Sequence, residues 1–264
     1  MALQKYSKVD LKSNYPASVV AFIDICGYKN LIEDPQNAQD MIDAIIEISN
    51  DTNKTILSAF PHYSVPPVSV NVASDTIILS STYNSQPISQ QEYWSVFTPI
   101  LQLFLVSSLV ELEYIKRGFL IKGGISLGQF YRSEYIVFGE ALAKSATLEK
   151  NHSEPNIVVE ESLINTFIEA AYKVGFPLND IQLGRTFVHT MNNTYTFLHY
   201  MLMACYCKQF CNPDYKSDGS DTIEEHKNGL IKAIHRGLNT MTGSIALKYL
   251  WAIEYHNDTN KTSD

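Results

Sequence analysis

Hydrophobic residues in the first third of the chain form one strand-like run, then a stripe at helical spacing, then two further strand-like runs. Residues 18–25 (SVVAFIDI) are mostly apolar and rich in β-branched side chains, which predicts a buried strand. Apolar side chains recur at helical spacing from Gln36 to Phe60 and predict a long helix. Residues 68–81 hold two strand-like runs around Ser74 and Asp75, so we expect a hairpin that turns there.

The middle of the chain continues the alternation of strands and helices. A long apolar stripe predicts a helix over Ser89–Lys116, with Pro99 either inside it or marking a late start. Residues 119–128 (FLIKGGISLG) and 135–138 (YIVF) predict two strands, and the glycines of the first indicate a bulge or the close approach of another backbone segment. A helix is expected from Gly139 to Glu149.

A short strand at Ile157–Val159 and a helix that begins at Glu161 complete this pattern. The predicted order is β-α-β-β-α-β-β-α-β. Antiparallel strands crossed by two long helices favour an α+β fold of the split-βαβ kind. We therefore expect the first domain to span residues 1–177.

The pattern changes from residue 178 onward. A strand-like segment lies near Gly184–His189, and helices are predicted over Tyr195–Phe210 and Thr222–Tyr255. We interpret residues 178–264 as a C-terminal strand and helical cap packed on the first domain.

The charge balance narrows the classes of partner. The chain has 264 residues, 20 Lys plus Arg against 28 Asp plus Glu, and a formal net charge of −8. Binding to a nucleic acid backbone depends on a surplus of cations that displaces counterions from phosphates. We therefore expect no nucleic acid partner, whereas a small anion bound together with metal ions remains compatible with this charge.

The chain carries no sequence signal for export or membrane insertion. Residues Met1–Pro16 lack an apolar core of the signal-peptide type. The most apolar stretch, Phe97–Val110, is too short to span a bilayer. Four cysteines do not make a disulfide framework in a chain of this size. These features predict a cytoplasmic protein with reduced thiols and no membrane partner.

Two aspartates stand at predicted strand ends and are the candidate chemistry of the chain. Asp24 closes the first strand, and Asp75 lies in the hairpin turn, 75 − 24 = 51 residues later. A carboxylate beside apolar strands is costly to desolvate, and two such groups on adjacent strands repel each other. Divalent cations such as Mg²⁺ and Mn²⁺ relieve that repulsion and bind phosphates. For either aspartate alone, a turn or helix-cap role is favoured, and only the pair favours a metal site.

The residues after Asp24 extend this hypothesis toward a phosphate ligand. Cys26, Gly27 and Tyr28 form a tight turn before a helix. Backbone N–H groups of such a turn can bind a polyphosphate.

Three segments resemble the class III nucleotide cyclases. FIDICGYKNL is similar to the family's first motif, VNVASDTIILS to its metal-binding hairpin, and IKGGISLGQFYRSEYIVFGEALAKSATLEK to the stretch that reaches its catalytic helix. The resemblance spans about Ser18–Glu160 and implies a ferredoxin-like sheet flanked by helices. It also implies a head-to-tail homodimer with active sites at the interface.

The same resemblance implies the reaction and the metal ligands. Asp24, Asp75 and the carbonyl of Ile25 would bind two ions, Mn²⁺ or Mg²⁺. The 3′-hydroxyl of a nucleoside triphosphate would attack the α-phosphate and yield a 3′,5′-cyclic nucleotide and pyrophosphate.

The chain departs from the purine cyclases at the base-reading and transition-state positions. Asn71 and Ile136 stand where those enzymes carry their purine-reading pair, and Ala143 and Thr147 replace their Asn and Arg. An Asn amide has one acceptor and two donors, which suit the edge of uracil or cytosine. An exposed polar strand residue is an equally good interpretation of Asn71 alone. Lys144 lies nearby and is a further candidate for the nucleotide, although such a residue is more often a solvated surface side chain.

These departures match the Pycsar pyrimidine cyclases of bacterial antiphage defence, which the chain resembles in its DIxG, SD, GGISLG and VFGEAL segments. That resemblance implies UTP as substrate, cyclic UMP as a second messenger and a separate cyclic-nucleotide-activated effector. Two alternatives stay open, namely CTP as substrate and a catalytically inactive nucleotide-binding module.

Overall fold

A computed structural model describes residues 15–59, 68–133, 136–176, 188–191, 195–201, 220–237 and 243–261. Its strands are β1 (Ala17–Ile25), β2 (Ser69–Ala73), β3 (Thr76–Thr82), β4 (Ile121–Arg132), β5 (Val137–Gly139), β6 (Ile157–Val159), β7 (Val188–Met191) and β8 (Tyr195–Leu198). Its helices are α1 (Tyr28–Leu31), α2 (Pro35–Ala59), α3 (Gln90–Lys116), α4 (Glu140–Asn151), α5 (Glu161–Val174), α6 (Ser220–Gly237) and α7 (Gly243–Lys261).

The strands form one mixed sheet flanked by helices, so the α+β prediction is confirmed. The order is β2-β3-β1-β4-β6-β8-β7, and β5 pairs with β4 outside this path. The β4–β6 pair is parallel, whereas β1 pairs antiparallel with both β3 and β4. The first four strands and the helices α2 and α3 therefore follow the split-βαβ order, with β1 between β3 and β4.

The two faces of the sheet have different roles because side chains alternate along each strand. Val19, Ala21 and Ile23 of β1 point to one face and belong to the large core that also includes residues of α2, α3 and α5. The alternate residues, including Phe22 and Asp24, point to the opposite face, on which α4 packs. The carboxylate of Asp24 thus emerges on the face that carries α4.

Small residues allow α4 to lie close to β4. A Cβ atom on Gly128 would come within 2.9 Å of the Ala141 backbone nitrogen. The buried Ser145 hydroxyl lies 2.9 Å from the Val20 carbonyl and 3.0 Å from the Ser126 hydroxyl. The interpretation of the β4 glycines as sites of close backbone approach is confirmed.

The long helix α3 begins at a capping residue and runs through the core. The Ser89 hydroxyl accepts a hydrogen bond from the Glu92 backbone N–H at 3.3 Å, and Pro99 lies inside the helix. Among the helices that the structure describes, α3 alone is long and apolar enough to cross a membrane, and 89% of its most apolar window is buried within the protein.

The prediction for the C-terminal part was wrong at two points. Tyr195 does not begin a helix, because Tyr195–Leu198 is strand β8, which pairs with β6 and β7 and buries Phe197 and Leu198. A short apolar run is compatible with a helix or a strand, and pairing with β6 and β7 makes this segment a strand. In the rest of that predicted helix, Tyr200 and Met201 are helical, and 202–210 lie outside the described residues.

The predicted continuous helix Thr222–Tyr255 is two helices. The first, α6, ends at Gly237, and α7 begins at Gly243. The predicted domain boundary at 177/178 falls outside the described residues and stays a prediction, while β7 and β8 extend the sheet of the first domain.

A buried carboxyl group of α3 faces the C-terminal part. Glu111 is 3% exposed, and its Oε2 atom has no hydrogen-bond partner among the residues that the structure describes. Burial raises the pKa of this carboxyl well above its ordinary value. Its charge acts on the phenol of Tyr200, which hydrogen-bonds to His226.

We expect Glu111→Gln to stabilise the protein increasingly as the pH rises. Folding a carboxyl group with a raised pKa carries no electrostatic cost below its ordinary pKa. The cost then grows by up to about 1.4 kcal/mol per pH unit until the raised pKa is reached. Denaturant unfolding at several pH values above 4.5 measures the difference between the variant and the wild type.

Glu113→Gln is the matched control on the same helix. Burial acts to raise the pKa of Glu113, but hydrogen bonds and charge from Lys116 and Arg117 outweigh it and lower the pKa. This control should therefore lose stability at neutral pH, and the loss should fade in acid. A free energy difference for Glu111→Gln that does not change with pH would contradict the assignment.

Candidate active site

The hairpin turn brings the two aspartates of the sequence prediction together. Asp24 is the next-to-last residue of β1 and pairs with Thr76, the first residue of β3. The N–H of Ile25 donates to the Asp75 carbonyl at 3.3 Å. Ser74 turns the chain with a φ of 60°. The backbone of β1 thus directly contacts the residue that carries the second carboxylate.

The site carries excess negative charge. Burial, then the charges of Asp75 and Glu149, raise the pKa of Asp24 to about 6, against the opposing effect of Lys122 and Lys248. Lys122 forms an ion pair with Glu149, so its charge is already compensated. A cation bound here would stabilise the ionised form of Asp24, which is half-buried and lies near a second carboxylate.

The donor set suits a hard cation. The part of the chain that the structure describes contains no group of three or more His, Cys, Asp or Glu side chains that could hold a metal. Two carboxylates can be completed by backbone carbonyls, water and substrate phosphates, which is the coordination that Mg²⁺ and Mn²⁺ prefer. The residues present therefore fit a site shared between protein and substrate.

One backbone N–H group of the turn after β1 is already hydrogen-bonded within the protein. The N–H of Cys26 donates to the Leu120 carbonyl at 2.8 Å, so this group does not face a ligand. Gly27 has a φ of 77°, and no atom of a described residue lies within 4 Å of where its Cβ would be. Tyr28 begins α1, which has only four residues. Any phosphate contact from this turn would therefore come from Gly27 and Tyr28.

Asn71 lies on the same face of the sheet as Asp24. It pairs with Ile78, which in turn pairs with Phe22, two residues before Asp24. Residues paired across antiparallel strands share a face, and the strand spacings put Asn71 on the order of 12 Å from Asp24. The Oδ1 atom of Asn71 is buried and has no hydrogen-bond partner within the described part of the chain.

The remaining predicted residues lie away from the carboxylates of their own chain. Ala143 and Thr147 are exposed on α4 and line a cavity of about 350 Å³ together with Glu140, Lys144, Leu148 and Glu160. The inner face of α4, with Ala141 and Ser145, packs on the sheet. The face that the resemblance associates with catalysis therefore points outward.

Lys144 is neutralised where it stands. Its ammonium group lies 3.0 Å from Glu140 and 3.5 Å from Glu160, and it donates to the Leu127 carbonyl at 3.3 Å. The hydrogen bond with Glu140 is the main cause that raises the pKa of Lys144. This lysine is thus a paired side chain of the cavity wall.

Ile136 is 47% exposed and precedes β5. Its neighbour Val137 pairs with Arg132 at one end of β4, whereas Lys122 near the other end pairs with Asp24. Ile136 and the carboxylates thus lie at opposite ends of the longest strand.

Sequence reasoning missed three charged residues at the carboxylates. Lys122 could have been found, because antiparallel pairing of the two predicted strands puts it opposite Asp24. The position of Glu149 near Lys122 results from the packing of α4 on β4. Lys248 of α7 had no local signal, and its Nζ lies 3.5 Å from the Sγ of Cys26.

Comparison with known proteins gives similarity to solved structures alone. No family model matches the chain, and no curated protein matches it. The adenylyl cyclase CyaB from P. aeruginosa is similar at 12% identity and a TM-score of 0.39, over 59% of this chain and 82% of that protein. The guanylyl cyclase Cya2 is similar at 11% identity and a TM-score of 0.31, over 58% and 79%. A class III adenylyl cyclase-like ATP-binding protein from Pseudomonas aeruginosa is similar at 11% identity and a TM-score of 0.36, over 83% and 44%.

Proposed function

We propose that this chain is a metal-dependent nucleotide cyclase that converts UTP to 3′,5′-cyclic UMP and pyrophosphate. The observation that carries the proposal is the contact between the end of β1 and the hairpin turn, which joins Asp24 to Asp75. The two carboxylates, at the end of β1 and in the adjoining hairpin turn, form a small site with excess negative charge, which divalent cations that also bind substrate phosphates would balance.

Asp24, Asp75 and the carbonyl of Ile25 would hold two divalent ions, Mn²⁺ or Mg²⁺. Such ions supply positive charge that activates the attacking oxygen and stabilises the leaving group. A bond forms between the 3′-oxygen and the α-phosphorus as the bond from that phosphorus to the pyrophosphate oxygen breaks. The proton of the hydroxyl group passes to solvent.

Asn71 supports a pyrimidine substrate. Its position on the sheet face of Asp24 would let one nucleotide span from the metal site to the amide, because about 12 Å separates them by strand geometry. The amide can donate and accept, so it can match either uracil or cytosine. CTP therefore remains the alternative substrate within this proposal.

The outward face of α4 supports a homodimer with shared sites. Ala143 and Thr147 point away from the carboxylates of their own chain, so a second copy would have to bring its α4 to them. Ile136 and Phe138, which are 47% and 40% exposed, offer apolar surface for that copy to cover.

An inactive nucleotide-binding module is the second candidate. What favours it is the cavity on α4, where Ala143 and Thr147 provide no charge and Lys144 is held by Glu140 and Glu160. The retained aspartate pair argues against it, because a module without turnover has little need for both carboxylates.

The cellular role within this proposal comes from the resemblance to the Pycsar cyclases. Cyclic UMP would act as a second messenger of antiphage defence on a separate effector protein.

Purified protein supplied with Mn²⁺ and each of UTP, CTP, ATP and GTP is expected to form cyclic UMP, detected by mass. Cyclic CMP instead would select the alternative substrate. Formation of a cyclic purine nucleotide would agree with the metal site but would refute the role of Asn71 in selecting a pyrimidine. Binding of UTP with metal but no pyrophosphate release would establish the inactive module.

A further inference from the structure

The C-terminal helix α7 brings a lysine to the edge of the candidate active site. The Nζ atom of Lys248 lies 3.5 Å from the Sγ atom of Cys26, two residues after Asp24. Its positive charge also acts on Asp24, although Asp24 and Lys248 are 224 residues apart, 248 − 24, in the chain. The appended helices thus reach the same site as β1 and the hairpin.

The ammonium group of Lys248 differs from the other lysines near the site in its partners. Among the described residues it forms no ion pair, and its hydrogen bond goes to a thiol. Lys122 and Lys144 differ, since both are ion-paired with glutamates. Lys248 is therefore a cation beside the carboxylates that is not ion-paired within the described residues.

Packing fixes the position of this lysine. Tyr249, Trp251 and Ile253 of α7 pack against a buried cluster that contains Leu120, whose carbonyl accepts the Cys26 N–H. The Trp251 ring stacks on Tyr255 with centroids 5.5 Å apart, and both rings meet Phe197 of β8. These contacts hold the backbone of α7 beside the turn after β1, within reach of the Lys248 side chain.

The charges of a bound substrate, two divalent ions and the two aspartates would sum to a negative value, which this lysine would reduce. A nucleoside triphosphate carries about four negative charges at neutral pH. Two divalent ions would offset these, and the carboxylates of Asp24 and Asp75 would leave a net charge of about −2. The Arg that the resemblance expects on the catalytic helix is Thr147 here, so α4 adds no compensation at that position.

We propose that Lys248 binds the terminal phosphates of the substrate, so that the C-terminal helices complete the active site. This inference rests on the proposed function, because it assigns a residue to the same triphosphate site. Lys248 offers three N–H donors at the turn next to the metal carboxylates, on the side of Cys26. The phosphate end of the nucleotide would thus be held from β1, the hairpin and α7 together.

Calorimetric binding tests the inference without relying on turnover. The probes are a UTP analogue with a methylene group between the α- and β-phosphates, inorganic tripolyphosphate and UMP, each with Mn²⁺. We expect Lys248→Met to weaken binding of the analogue and of tripolyphosphate by about 10- to 100-fold, because a charged hydrogen bond is lost. Binding of UMP should change less than about twofold, since it lacks the terminal phosphates.

Two further variants separate phosphate binding from a structural role. Lys248→Arg keeps the charge and should retain part of the affinity. Lys232→Met removes an exposed lysine of α6 that donates to the Lys116 carbonyl at 3.1 Å, and it should leave all three affinities unchanged. Thermal unfolding of each variant shows whether the fold is kept.

The outcomes distinguish this inference from the proposed function. Equal binding of the analogue and of tripolyphosphate by wild type and Lys248→Met would overturn the inference alone, as would a parallel loss for UMP. Wild-type protein that binds neither triphosphate probe in the presence of Mn²⁺ would overturn the inference and the proposed function together.

Discussion

Replacing either Asp24 or Asp75 by asparagine is expected to lower cyclic nucleotide formation by at least about a thousandfold while the fold is kept. Each substitution removes one of two carboxylates that meet at the end of β1 and the hairpin turn. Loss of a metal ligand removes charge stabilisation that acts on both the attacking and the leaving oxygen. Product formation at saturating Mn²⁺ and UTP measures the loss.

The same Asp24 substitution should stabilise the metal-free protein. Because the pKa of Asp24 is raised to about 6 from 3.8, ionisation of this group costs folding free energy that appears as the pH rises through that interval and persists above it. At pH 8 we expect Asp24→Asn to gain about 1 kcal/mol, a value that allows for solvent screening of this half-buried group. The gain should vanish near pH 4.

Manganese should reverse this order of stability. Ligand that binds the native state alone raises the unfolding temperature of the wild type, whereas Asp24→Asn should respond little. Asp43→Asn is the control, because Asp43 is an exposed residue of α2 that accepts a hydrogen bond from Gln39. Full turnover in either site variant, or a Mn²⁺ response equal to that of the wild type, would refute the metal-site assignment.

Local patterns explain why much of the fold could be predicted. The alternation of residues 68–73 defined β2, and Ser74 with Asp75 marked the turn that β2 and β3 make. The same hairpin placed Asp75 beside the end of β1, so the carboxylate pair followed from the sequence. These features depend on neighbours within a few residues, where periodicity and turn chemistry carry the information.

Features set by distant contacts could not be predicted in this way. Residues 195–198 form a strand because they pair with the free edge of β6. The local sequence pattern does not show that this edge is available. The Cys26 N–H is used by Leu120, and Lys248 meets Cys26 across 222 residues of sequence. Lys144 looked available in the sequence, yet α4 and the start of α5 place Glu140 and Glu160 around it.

Two inactive variants are expected to restore activity when their subunits are mixed. Asp75→Asn removes a metal carboxylate but keeps α4, whereas Thr147→Trp fills the exposed cavity on α4 but keeps both aspartates. In a head-to-tail dimer each site takes its carboxylates from one chain and its α4 from the other. A mixed dimer then has one complete site. Random mixing makes about half of the dimers mixed, so about a quarter of wild-type activity should return.

The design separates a shared site from a site within one chain. If α4 served the carboxylates of its own chain, every mixed dimer would carry two defective sites and no activity would return. Asn165→Trp places the same bulky side chain on an exposed position of α5 and should stay active alone. Sedimentation at the assay concentration gives the oligomeric state, and a fully active monomer would refute the dimer. Because α4 packs on its own sheet through Ala141 and Ser145 and presents Thr147 outward, recovery is the expected result.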